Sequence, residues 1–412
     1  MKALITFICM VFLCPVFTAN SQEKWTLQRC IAYGREHSMA AREQSILNKL
    51  PVIDKKTLNG SYLPQANIFS GNYYNNGNFP GYFQHSWGIN ASMAIYCGNR
   101  KQYELKKANL VIMQGDYALA ATQNDVEFNT LYAYIEVLVT RQRYSCYKEY
   151  QRKLLVFSER KVSNCSSSKL LLLSQMKRDS LEAQSLFLQY EIAVIRLKQI
   201  INLDEATEFE IVPIADFMPV YTKKSQALEK AIQADPSIST NYLDIKIAGY
   251  DIAIAKSYSY PQLSYIHNST YNTSNNKVLG LDGPQYYSGL SITIPLFNGN
   301  KQKLTVQRTV VQQEYQKKRL ENQLQSMENS ITMILTELKN REIRLDSFKT
   351  MQVNAAKEFE EAEREFKNCN ISQEAYITIR GLNLRYDLDY INAYYDMIAQ
   401  KKLLDFYTGV SL

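Results

Sequence analysis

Proline is missing from residues 81–212 of this 412-residue chain, and after Gly98 only Gly115 adds a glycine to that span. The stretch from Lys301 to Thr408 repeats the pattern, with no proline and one glycine, Gly381. Spans this long without breakers exclude loop-rich structure there and predict long helices. Charge is missing elsewhere. Thr57–Asn99 holds no Asp, Glu, Lys or Arg, and Ser257–Asn300 holds only Lys277 and Asp282. Histidine is scarce, at three residues far apart. No Cys-x-x-Cys, His-Glu-x-x-His, Gly-x-Ser-x-Gly or phosphate-cradling glycine loop occurs. Zinc, hydrolase and nucleotide chemistry therefore find no support, and neither an enzyme nor a cofactor is expected. No apolar run reaches the roughly 18 residues of a transmembrane helix. The net charge of +7 comes from well-mixed signs, which does not indicate a nucleic-acid binder.

What is present begins at the N-terminus. Lys2 precedes an apolar run from Ala3 to Val16, and Ala19-Asn20-Ser21 is a small-x-small cleavage site. Residues 1–21 are therefore expected to be a removable signal peptide, which sends the chain out of the cytoplasm. Of the seven cysteines, Cys9 and Cys14 fall inside this leader. Cys14 follows Leu13 rather than a small residue, so no lipid anchor is expected. Cys30, Cys97, Cys146, Cys165 and Cys369 remain, with Cys30 and Cys146 read as apolar fillers on helices.

In the second long span, Leu320, Leu324, Met327, Ile331, Ile334 and Leu338 recur at alternating steps of four and three, the seam of a coiled coil. A looser version runs through Leu131, Ile135, Leu138 and Leu154. Short polar patches at 163–168 and 367–372 interrupt the two spans once each and read as turns, so each span becomes a helical hairpin. The first arm, residues 99–162, would be about 95 Å long.

The charge-free segments alternate instead. Ile89, Ala91, Met93 and Ile95 share a face opposite Asn90 and Ser92, while Leu290, Ile292, Ile294 and Leu296 oppose Ser291 and Thr293. Period-2 patterning, abundant aromatics and absent charge predict transmembrane β-strands, with Ile89, Met93, Ile95, Leu290, Ile292, Ile294 and Leu296 facing lipid. His85 and His267 fall in the same segments and are expected to line the barrel interior. Each segment accommodates one hairpin, about 62–98 and 259–299. Four strands cannot close a barrel and an open edge is not tolerated in lipid, so the chain is expected to pool strands with copies of itself. Three copies would supply about twelve strands.

The halves repeat in order. Ser61-Tyr62-Leu63-Pro64-Gln65 matches Tyr258-Ser259-Tyr260-Pro261-Gln262, and Ile95-Tyr96-Cys97-Gly98-Asn99-Arg100 matches Leu296-Phe297-Asn298-Gly299-Asn300-Lys301. Glu159-Arg160 with Asn164-Cys165 matches Glu363-Arg364 with Asn368-Cys369, and Leu27 and Ile31 match Leu228 and Ile232. The expected division is a first repeat over 22–212, with its helical hairpin at 99–203, and a second over 213–412, with its hairpin at 300–408.

In this order and twice over, these motifs resemble the TolC family of outer-membrane efflux proteins. Leu27-Gln28-Arg29-Cys30-Ile31-Ala32 is similar to the family's first helix, and Leu63-Pro64-Gln65 and Tyr260-Pro261-Gln262 to its strand entries. Ile294-Pro295-Leu296-Phe297-Asn298-Gly299-Asn300 is similar to its last strand exit, and Asp405-Phe406-Tyr407-Thr408-Gly409 to its helix end. The resemblance implies a mainly α chain with a transmembrane β part. It further implies a homotrimer in the outer membrane with a shared twelve-stranded barrel and an α-helical tunnel in the periplasm. The tunnel tips would meet a periplasmic adaptor linked to an inner-membrane transporter, and the duct would be passive. On that resemblance Val162, Asn164, Cys165, Phe366, Asn368, Cys369 and Glu374 form the periplasmic tip, where adaptor contact and gating are expected. This chain departs from the family by carrying Cys where a tip Gly is usual, each after an Asn able to take the left-handed conformation. Leu171, Ala375 and Thr378 stand where some members place gating carboxylates. Cys165 and Cys369 could pair as a disulfide or be two small residues in a Gly position. The other function class compatible with the pattern is a non-conducting helical scaffold or adaptor of the cell envelope.

Overall fold

The computed structural model describes residues 24–76, 81–159, 169–214, 223–274, 283–368 and 370–410. The expected signal peptide lies outside them. The first half runs β1 (Lys24–Trp25), α1 (Leu27–His37), α2 (Met39–Leu47), α3 (Lys49–Ser61), β2 (Gln65–Asn75), β3 (Tyr82–Cys97), α4 (Arg100–Glu159) and α5 (Lys169–Ile201). The second runs β4 (Glu210–Ile211), α6 (Lys224–Ala234), α7 (Pro236–Ser257), β5 (Gln262–Ser274), β6 (Gly283–Thr293), α8 (Lys301–Lys367) and α9 (Gln373–Tyr407).

The breaker-free spans fold as long helices. Helix α4 has 60 residues and α8 has 67, which makes them roughly 90 and 100 Å long. Their return arms, α5 with 33 residues and α9 with 35, are only about half that length. The sheet-proximal part of each long helix needs another partner. Helices α2 and α3 lie on α4, and α7 packs between α4 and α8. Pro51 explains why the first repeat uses two short helices where the second uses the single α7. It has no N–H to donate to the Leu47 carbonyl, and the helix breaks at Asn48. The Asn48 amide then donates to the Gly115 carbonyl of α4 at 2.7 Å.

Two apolar clusters form a belt partway along the helices. One joins Trp25, Leu27, Cys30 and Ile31 to Leu131, Tyr134 and Leu138 of α4 and Leu197 and Ile201 of α5. The other joins Ala227, Ala231 and Ile238 to Leu320, Met327, Ile331 and Ile334 of α8. Most of the α8 seam is therefore core. Packing also shifts one internal match. Cys30 and Gly34 are the small buried residues of α1, and Ala227 and Ala231 are those of α6. Both pairs are 197 apart (30 + 197 = 227; 34 + 197 = 231), as are Pro64 and Pro261. Small side chains set the close helix crossing, and Leu228 packs beside it only partly buried.

The N-terminal strand is tied into this belt. Strand β1 pairs in parallel with β4, and the Tyr134 hydroxyl donates to the Trp25 carbonyl at 3.0 Å and the Val212 carbonyl at 2.5 Å. Cys30 is fully buried and Cys146 half-buried, and burial pushes both thiols up to about 12. Iodoacetamide at pH 8 should therefore leave both unmodified in the native protein and label both after denaturation, as read by peptide mass spectrometry.

Candidate functional site: the sheet and the hairpin ends

Strands β2, β3, β5 and β6 form one antiparallel sheet in the order β2-β3-β5-β6, so β3 and β5 join the two repeats. The register sorts side chains cleanly. Opposite pairs Ile68–Ile89, Trp87–Tyr271, Met93–Tyr265, Tyr265–Leu290 and Leu263–Ile292 place these residues on one face. Opposite pairs Asn67–Asn90, Asn90–Asn268, Ser86–Asn272 and Ser264–Ser291 lie on the other. Ile68, Ile89, Leu290 and Ile292 are exposed on the apolar face. Within the described residues, β2 and β6 each have one unpaired edge.

Three expectations about the strands change. Ile294 and Leu296 are not strand residues. The ladder ends at the pair Gln262–Thr293, because Pro261 precedes β5 and Pro295 has no N–H to extend β6. Ile95 is skipped by the register shift between Ala94 and Tyr96, a bulge that removes it from the alternation. His85 and His267 lie on the apolar face with Trp87 and Tyr265, not on the polar one. Each is satisfied across the sheet, His85 Nδ1 by Asn72 Oδ1 at 2.6 Å and His267 Nδ1 by Ser288 Oγ at 2.6 Å. Local pairing of this kind lets a polar ring sit on an apolar surface. Parity already carried the information, since His85 is four residues from Ile89.

At the sheet-to-helix junctions the duplicated Gly-Asn pairs adopt one conformation. Gly98 and Asn99 have φ of 64° and 60°, and Gly299 and Asn300 have 65° and 62°. Consecutive left-handed residues turn each strand into its helix, which explains why glycine appears at both places. Gly98 is also crowded, since a Cβ there would lie 2.8 Å from the Ser257 carbonyl oxygen, while Gly299 has open space. Gly98→Ala should therefore cost roughly 1–3 kcal/mol and more than Gly299→Ala. Denaturant titration of the two variants checks the order.

Near their far ends the two hairpins are cross-tied. Arg380 of α9 donates to Asp179 Oδ2 of α5 at 2.6 Å, with side chains only 2% and 5% exposed. The same guanidinium donates to the Tyr150 carbonyl of α4 at 3.2 Å. The Tyr150 hydroxyl donates to Asp387 Oδ2 at 2.6 Å and accepts from the Asn383 amide, while Gln352 of α8 donates to Asp387 Oδ1 at 2.7 Å. Four helices from both repeats thus share one buried polar network. Below it Phe366 stacks on Tyr376 at 4.9 Å within a cluster holding Leu154 and Phe359.

The expected tip residues divide. Val162, Asn164, Cys165 and Cys369 lie outside the described residues, and with them the question of a disulfide. Phe366 is buried rather than presented outward. Asn368 ends α8 with φ of −86°, not in the left-handed region, because its N–H still donates to the Arg364 carbonyl as a continuation of the helix. Glu374 is exposed in the first turn of α9, where a carboxylate suits the helix dipole. Among the described residues no cluster of His, Cys, Asp and Glu could hold a metal, and no helix is long and apolar enough to cross a membrane.

Residues 227–373 match the family described as "Outer membrane efflux protein". The match covers about a third of the chain and lies within the second repeat. No curated protein sequence matches the chain. Solved structures match nearly all of it. The Campylobacter jejuni CmeC outer membrane channel has a TM-score of 0.75 at 14% identity, covering 93% of this chain and 85% of that one. The open state of the Neisseria gonorrhoeae MtrE outer membrane channel gives 0.72 at 14% identity, covering 93% and 88%. The outer membrane protein VceC from Vibrio cholerae gives 0.72 at 10% identity, covering 93% and 96%. The fold of these solved outer membrane proteins therefore extends over both repeats. Outer membrane efflux proteins are conduits rather than enzymes.

Proposed function

We propose that the chain is one subunit of a homotrimeric, passive exit duct of a tripartite efflux or export system. The sheet sits in the outer membrane and the helical hairpins extend into the periplasm, towards an adaptor and an inner-membrane transporter. The observation that carries this reading is the four-stranded sheet, uncharged on both faces, apolar on one, and open at both edges. Its strands alternate in direction, so β6 of one copy meets β2 of the next as an antiparallel pair and every lipid-exposed edge is removed. A helical adaptor would have soluble strands with charged residues on the wet face, and these have none. Ile89, Met93, Leu290 and Ile292 face lipid in this arrangement, and the ends of α8 and α9 near Asn368 and Glu374 face the adaptor.

The cross-tie between hairpins gives the duct a means of holding its periplasmic end narrow. Widening that end by moving one hairpin from the other would break the Arg380–Asp179 pair. Detergent-solubilised protein should run as a trimer after chemical crosslinking and conduct ions in planar bilayers. Extraction from membranes by salt alone would overturn the duct in favour of the scaffold.

A further inference from the structure

The polar face of the sheet has a chemistry that the duct reading does not require. Across it run rows set by the register: Asn67, Asn90, Asn268 and Tyr287 in one, then Phe69, Gly88, Thr270 and Gln285, then Gly71, Ser86, Asn272 and Gly283. Amides, hydroxyls and glycines dominate, and no described residue of β2, β3, β5 or β6 on either face is Asp, Glu, Lys or Arg. The amides bond to one another. Asn268 donates to Asn90, Thr270 donates to Asn268 at 2.6 Å, and Ser86 donates to Asn272 at 2.7 Å. A water-filled lumen tolerates charge readily, so its absence here is not demanded by folding in a membrane, as it is on the lipid face.

We infer that the membrane-crossing pore of this protein does not sort its cargo by charge, and that the Asn67–Asn90–Asn268 row is the lining that makes it neutral. This rests on the duct reading, in which three copies repeat the row around the lumen as oblique lines of amides, since strands in a barrel are tilted. An amide offers a donor and an acceptor to any hydrated solute but sets up no net potential. A ring of one charge sign would instead focus its field across the lumen and alter the local concentration of ions by tenfold to about a thousandfold. Cationic and anionic small molecules then meet the same membrane pore, and any selection by charge falls to other parts of the machine.

The test uses the full-length protein in the outer membrane of intact cells. Asn268→Cys is exposed from outside to a cationic and to an anionic methanethiosulfonate reagent, each rate being normalised to its rate with a free small thiol. Unsubstituted protein supplies the background. The expected normalised ratio is within about threefold of unity. In an Asn90→Asp background the same cysteine should favour the cationic reagent by tenfold or more. A ratio above tenfold in the unaltered row, or no change when Asn90→Asp is added, would overturn the inference. Modification of Ile89→Cys with no modification of Asn268→Cys would overturn the duct reading instead, because it would reverse the faces of the sheet. Ion conductance of the Asn268→Cys protein in bilayers shows that the variant folds.

Discussion

Arg380→Ala should lose about 3–5 kcal/mol, because it leaves the Asp179 carboxylate buried with no cation beside it. The loss belongs to the far half of the hairpins. Hydrogen exchange should therefore accelerate in α5 and α9 around Asp179 and Asn383, while the belt around Trp25 and Leu131 keeps its protection. The double variant Arg380→Met with Asp179→Leu should recover most of the stability, since two apolar side chains of similar volume avoid the desolvation of both charges. It should not recover a narrow periplasmic end. In the duct reading both the single and the double variant lose the cross-tie, and both should raise the resting conductance of the channel. Recovery of stability together with recovery of the native conductance would show that the pair contributes only to folding.

Ile89→Lys should destabilise the membrane-inserted protein by about 2–4 kcal/mol, the cost of a Lys on the lipid face near the bilayer midplane. Ile89 is central in β3, opposite Ile68 on one side and Ser269 on the other. Asn90→Lys, one residue along, places the same charge on the polar face and should be close to neutral. Urea titration of each variant folded into lipid vesicles gives the difference. Equal losses would show that both faces meet the same solvent, which is incompatible with a barrel wall. The adjacent pair controls for strand position, backbone and side-chain type, so only the environment of the face differs.

Much of this architecture was legible in order along the chain. Missing proline and glycine marked α4 and α8, because breakers act on the local backbone whatever packs against it. Missing charge and period-2 alternation marked the strands and their faces for the same reason. The matching Gly98-Asn99 and Gly299-Asn300 pairs marked the places where each strand becomes a helix. The cross-tie was not legible. Asp179 follows the exposed Arg178 in a helix rich in charged and polar residues, and nothing local distinguishes the buried one. Arg380 reads equally well as a solvated helix residue. Their burial depends on α5 and α9 approaching each other from repeats 201 residues apart. The two histidines differ from expectation for another reason: parity places them on the apolar face, and the bonds to Asn72 and Ser288 remove the cost of a polar ring there.

The sequence by itself determined where the long helices and the four sheet strands lie, which strand face is apolar, and that the unit occurs twice. These are periodicities and conformational limits carried by neighbouring residues. Only the tertiary structure decided that α7 lies between the two long helices, that β6 stops before Pro295, and that one ion pair among many is sealed inside the hairpin ends. Partner choice between distant helices is a matter of shape and desolvation summed over surfaces. No short stretch of sequence contains that sum.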